Sequence, residues 1–152
     1  MAPLTKIRVG HEDFCVSEEL KKLERPGRKA GAAVTFTGLV RADGSVTEME
    51  LEHYPGMTEK SLEAIVEKAR ARWSLEDVVI IHRVGKLGVG DQIVLTIVTS
   101  EHRREAFEAS EFIMDWLKTE APFWKKETRP EGARWVDARE SDDAAKARWE
   151  SR

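Results

Sequence analysis

Three lysines, Lys118, Lys125 and Lys126, fall in the stretch "MDWLKTEAPFWKKE", among Trp116, Phe123 and Trp124. Apolar surroundings and neighbouring cations both disfavour an ammonium ion. A lysine in that company can lose its proton near neutral pH and act as a base or nucleophile. The same side chains also suit a wet surface, with alkyl stems lying over the rings and charged heads in water. A second basic group, His102, Arg103 and Arg104 in "TSEHRREAF", sits where a strand gives way to a helix. Positive charge there opposes the helix dipole, so it does not serve the helix; combined with free N–H groups it makes an anion site, most simply for phosphate. Ion pairs with Glu101 and Glu105 on a solvated helix start are the other reading. Arg41 in "GLVRADG" and Arg139 in "RWVDAR" are isolated candidates for further anion contacts, equally suited to soluble loops.

The elements that must carry these residues follow from periodicity. Ala106, Ala109, Ile113 and Leu117 form the apolar stripe of a helix that Ser100 can cap and Pro122 ends. Helical spacing places Lys118 on the face of Glu111 and Met114. A Pro-aromatic turn then presents Lys125 and Lys126. "TKIRVG" and "AAVTFTGLV" read as strands, and the continuous apolar run "QIVLTIVTS" as a central one. "TEMELEHY" alternates, with Met49, Leu51 and His53 on one face, and is expected to be the hairpin partner of "AAVTFTGLV" across an Asp-Gly turn. "SEELKKLE" reads as a short helix capped by Ser17. Thr58 can cap a longer one carrying Leu62, Ile65, Val66 and Ala69. "LEDVVIIHRVG" reads as a strand, "KLGVGD" as a turn and "RWVDAR" as a last short strand. The class is α+β, with one domain over residues 1–140 and a charged tail, 141–152, as a loose helix or disordered segment.

Composition narrows the chemistry. A chain of 152 residues with net charge −3 is long enough for one core, and its balance does not favour nucleic acid. The start lacks the apolar stretch of a signal peptide, and no run is long enough to span a bilayer, so a cytoplasmic protein is expected. The single cysteine, Cys15, excludes an internal disulfide and lies in the acidic run "EDFCVSEE", which is expected to raise its thiol pKa and points to a partly buried structural role. His53 and His82 lie on strand-like runs without a partner at metal-ligand spacing, so they read as structural and no metal is expected.

Distance adds a constraint. Arg103 and Lys118 stand near opposite ends of one helix, on the order of 20 Å apart at ~1.5 Å per residue. If both serve one site for a small molecule, a second copy of the chain supplies one of them, as a two-fold dimer would.

The runs "TFTGLVR", "LEHYPGMTEK", "IHRVGKLGVGD", "TSEHRREAFEASEFIMDWLKTEAPFWKKE" and "RWVDARESD" together resemble the large, catalytic subunit of molybdopterin synthase, in order and over roughly residues 5–145. The resemblance implies an α/β-hammerhead type of fold with a small additional β subdomain. It implies a homodimer at the centre of a heterotetramer, no cofactor, and a small ubiquitin-like sulfur-carrier subunit ending in a Gly-Gly thiocarboxylate. It implies transfer of two sulfurs to cyclic pyranopterin monophosphate, giving the dithiolene of molybdopterin. By the same resemblance, Lys118 and Lys125 are catalytic. His102, Arg103 and Arg139 contact substrate anions; Leu39, Val40, Arg41, Lys125, Lys126 and Glu127 line the substrate; Phe36 and Met114 are pocket walls. Lys118, its pKa lowered by Lys125 and nearby arginines, would move protons, and Phe123 and Trp124 would line a groove for the carrier tail. A non-enzymatic module that binds a phosphorylated ligand and regulates a partner would use the same anion site.

Overall fold

The computed structural model describes residues 3–42, 44–136 and 140–150. Among the described residues, eight strands make two four-stranded sheets. The first holds β1 (Leu4–Gly10), β4 (Asp77–Arg83), β6 (Gln92–Ser100) and β2 (Ala32–Leu39) in that order; only the β1–β4 pair is parallel. The second holds β5 (Gly85–Gly88), β3 (Glu48–His53), β7 (Phe123–Arg129) and β8 (Gly132–Val136), all antiparallel. The helices are α1 (Val16–Lys21), α2 (Met57–Arg72), α3 (Arg103–Glu120) and α4 (Glu140–Glu150). The α+β class is what the chain adopts. Among the described residues no helix is long and apolar enough to cross a membrane.

β4 and β6 read as unbroken apolar runs because both faces of the first sheet are covered. Val78, Ile80, Val94 and Val98 pack toward α2 and α3, where Leu62, Ile65, Val66, Ala109, Phe112, Ile113 and Leu117 are buried. Val79, Ile81, Leu95 and Ile97 meet Phe14 and Leu23 on the opposite side, with Val16 and Leu20 of α1 against them. Residues 140–150 form α4, whose Trp149 is only 4% exposed and meets Trp73 and Phe112 edge-on. The Arg72 guanidinium lies 5.2–5.7 Å from the centroids of these three rings, a cation–π arrangement.

The expected hairpin between β2 and β3 does not form: β3 pairs with β5 and β7 in the second sheet. Val40 explains the departure. Its N–H donates to the Asp91 carbonyl and its carbonyl accepts from Gly90, both at 2.8 Å, so the chain leaving β2 is tied to the turn before β6. "KLGVGD" is only partly a turn, since β5 occupies its start. Gly85, at φ +91°, lets the chain pass from one sheet to the other, and a Cβ there would meet the His11 ring 2.2 Å away.

The helix starts also shift. The residue capping α3 is His102; Ser100 ends β6 and donates to the Ser74 carbonyl at 2.7 Å. Cys15 precedes α1 and Gly56 precedes α2. Thr58 lies inside α2, where its hydroxyl accepts from the Tyr54 N–H (2.9 Å) and donates to the Pro122 carbonyl (3.2 Å). That second bond pins the turn between α3 and β7.

A buried ionic clasp closes the far end of the first sheet. Arg25 reaches Asp77 Oδ1 at 3.0 Å and Glu76 Oε1 at 3.1 Å. The Asp77 side chain is fully buried, and the Thr99 hydroxyl donates to its Oδ2 at 2.9 Å.

Candidate active site

A cavity of about 780 Å³ opens where the two sheets and the C-terminal end of α3 converge. Its walls come from Phe36 to Arg41 at the end of β2, His82 of β4, Leu117 and Lys118 of α3, Phe123, Lys125 and Glu127 of β7, and Val136 of β8. Lys118 stands in the last turn of α3, where unpaired carbonyls make the helix end attractive to a cation.

The strand period decides which β7 side chains enter the cavity. Phe123, Lys125 and Glu127 face it, while Trp124 and Lys126 alternate to the other side of the sheet. There Trp124 is 48% exposed, and Lys126 lies 5.6 Å from the Trp135 ring and 4.0 Å from Glu50. The expectation that Trp124 lines a groove beside Lys118 is therefore not met by this cavity; of the two, Phe123 is the one on its wall. Read as a turn, "APFWKKE" gives no such sorting. A three-residue alternation beside a proline is too short a signal to read.

One chain thus brings Phe36, Leu39, Val40, Arg41, Lys118, Lys125 and Glu127 around one cavity. Glu127 is buried, with its carboxylate 3.6 Å from Arg129. Lys126 lies on the opposite face of β7. His102 and Arg103 are exposed at the other end of α3 and do not line this cavity. Met114 lines a separate, shallower groove of about 380 Å³ between β2 and α3, which shares Phe36 with the first. Arg139 lies outside the described residues.

His82 is the cavity residue that the sequence reading set aside as structural. Burial holds its pKa down at about 4, with the charges of Lys118 and His53 acting in the same direction. The consequence for stability has a definite sign. An unfolded histidine takes up its proton near 6.5 and the folded one only near 4, so the unfolded chain binds the extra proton between those values. Stability is complete above pH 6.5 and falls as the pH drops toward 4, by about 3 kcal/mol from this residue alone. Urea unfolding across that window should show the loss in the native protein and not in His82→Phe; parallel pH curves for the two would refute it.

The family model described as "MoaE protein" matches residues 9–120. The molybdopterin synthase catalytic subunit of Escherichia coli is 57% identical over 148 residues, covering 95% of this chain and 98% of that relative. Among solved structures, a molybdopterin biosynthesis MoaE protein from Burkholderia ambifaria has a TM-score of 0.82 at 54% identity, covering 99% of each chain. The crystal structure of molybdopterin synthase from Staphylococcus aureus contains a chain with a TM-score of 0.78 at 31% identity, covering 86% of this chain and 96% of that one. With a family model matched over most of its length and relatives more than half identical along nearly all of it, the chain belongs to the MoaE family of molybdopterin synthase catalytic subunits.

Proposed function

We infer that this chain acts as the catalytic subunit of a molybdopterin synthase, a sulfurtransferase, and that sulfur transfer takes place in the cavity shared by Lys118 and Lys125. The carrying observation is that these two cations reach one partly apolar cavity from different elements, the end of α3 and the middle of β7.

The sulfur source is a small ubiquitin-like carrier subunit bearing a C-terminal Gly-Gly thiocarboxylate. The acceptor is cyclic pyranopterin monophosphate, and the product is the molybdopterin dithiolene. Arg41, Lys118 and Lys125 supply positive charge for a phosphate and for an anionic thiocarboxylate, while Phe36, Leu39 and Phe123 supply flat apolar wall for a ring system. Cys15 does not line the cavity, which agrees with sulfur arriving on a partner. Lys118 moves protons as sulfur adds and phosphate oxygen leaves; Lys125 donates hydrogen bonds to the negative charge that develops.

His102 and Arg103 join the site from the second protomer of a dimer, because one α3 helix cannot bring both its ends to one small molecule. Sedimentation of the active protein as a monomer would remove that part of the reading. The whole is tested by reconstitution: the chain, a thiocarboxylated carrier and the pyranopterin precursor are mixed and the dithiolene is assayed. Product that requires all three components is expected. Ligand binding without turnover would favour the regulatory module instead.

A further inference from the structure

The cavity wall includes an imidazole that the two-lysine scheme leaves without a role. His82 is buried, yet its imidazole forms part of the cavity wall. The ring is held on two sides. Phe123 stacks on it with centroids 3.8 Å apart and planes 17° from parallel. Its Nδ1 lies 2.8 Å from the Arg83 carbonyl oxygen. A carbonyl has no proton to give, so Nδ1 carries the hydrogen and Nε2 the lone pair. Nε2 is then the ring's remaining polar atom, and it can only accept while the ring is neutral.

The charges around it favour that state. Lys118 from α3 and the His53 ring from β3 both act against an imidazolium. Among the described residues, Arg41, Lys125 and Glu127 are the other charged side chains on the cavity wall. The flanking strands present Val9 and Val94 opposite His82, neither of them ionisable. Among the described residues the wall carries one carboxylate, Glu127, against the cations Arg41, Lys118 and Lys125, and an ammonium has three protons to place. A carboxylate at this position would pin Lys118 in its charged form; a neutral imidazole orients it and leaves its proton transferable.

We propose that His82 is a positioning residue of the sulfur-transfer site, a neutral imidazole whose Nε2 accepts a hydrogen bond from the Lys118 ammonium in the loaded cavity and aims it at the reacting atoms. The stack on Phe123 links this orientation to β7, so the strand that carries Lys125 also sets the ring that directs Lys118. The proposal rests on the cavity being the active site.

Three variants and one spectroscopic measurement test it. His82→Phe keeps a ring to stack on Phe123 but has no acceptor; His82→Gln keeps an acceptor at about the reach of Nε2. His82→Phe is expected to lower kcat by about 10- to 100-fold with KM nearly unchanged, the loss of one hydrogen bond to a charged group. His82→Gln should recover most of that loss. In a Lys118→Ala background, His82→Phe should cost nothing further, because the group it directs is gone. Equal losses in Phe and Gln variants, or a full additional loss without Lys118, would overturn the proposal. Nitrogen-15 spectra of the native protein loaded with the pyranopterin precursor, without the carrier, give a readout independent of turnover. At neutral pH, His82 should show a protonated Nδ1 and a bare Nε2 whose signal moves on Lys118→Ala. The opposite tautomer, or a signal indifferent to Lys118, overturns the contact even where the variants do not fold. An inactive native protein with the expected spectra would instead overturn the assigned reaction and leave the contact standing.

Discussion

Lys118→Ala is expected to abolish most dithiolene formation, by about 10²- to 10⁴-fold, while the protein stays folded. Two features separate activity from stability here. The side chain projects into the cavity from the exposed end of a helical turn, so its removal opens no hole in the core. Alanine is also at least as good a helix former as lysine, so α3 loses nothing locally. Thermal unfolding should shift by no more than a few degrees, and substrate binding should weaken far less than turnover falls. Lys125→Ala should cost comparable activity with a larger share in KM, if its part is to hold negative charge rather than to move protons. Product formation by Lys118→Ala at close to the native rate would remove the lysine from the chemistry and the cavity from consideration.

Arg25→Met carries the largest expected loss of stability, about 3–5 kcal/mol, read as a fall in the urea midpoint. Arg25 is the cation beside a carboxylate with no solvent exposure, and its loss leaves Asp77 with the Thr99 hydroxyl and the electrostatic pull of Arg70, with no ion pair of its own among the contacts described. Glu76 loses the same partner. A domain whose whole stability is about 5–15 kcal/mol cannot absorb that change easily. The double variant Arg25→Met with Asp77→Asn should regain much of the loss, since the uncompensated charge, rather than a missing contact, is what destabilises. A single-variant loss below about 1 kcal/mol would show that water or a rearranged Glu76 screens Asp77. The clasp lies away from the cavity, so turnover per folded molecule should be unchanged.

The fold was legible where one physical signal acted alone. "QIVLTIVTS" reads as a central strand because both sides of β6 are covered, and it lies between β4 and β2. The stripe of Ala106, Ala109, Ile113 and Leu117 is buried in α3 as its spacing requires. What failed to show was any choice between competing neighbours. An Asp-Gly turn argued for a β2–β3 hairpin, but the backbone bonds of Val40 to Gly90 and Asp91 hold the chain elsewhere, and those partners are fifty residues distant in sequence. In the site, residue type made Lys118, Lys125 and Arg41 candidates while leaving a wet-surface reading open, and it is the cavity that brings the three together. The separation of Lys125 from Lys126 was not legible, because it depends on β7 being a strand with one face to the cavity. Nor was His82, whose interest comes from what surrounds it, and a lone histidine in an apolar run carries no such information.

The way the strands are connected has a consequence for how the cavity comes into being. β1 joins β4, β2 joins β6 and β3 joins β7, each across a long span of chain. Such pairings must wait for large loops to close, an entropic toll that local contacts do not repay in advance. The β7–β8 hairpin and the helices can form early, but Lys125 meets Lys118 and His82 only after β3 has captured β7. Enclosure of Lys118 and Lys125 in one cavity therefore depends on pairings distant in sequence, and a chain in which β3 and β7 are apart presents the two lysines without their shared walls.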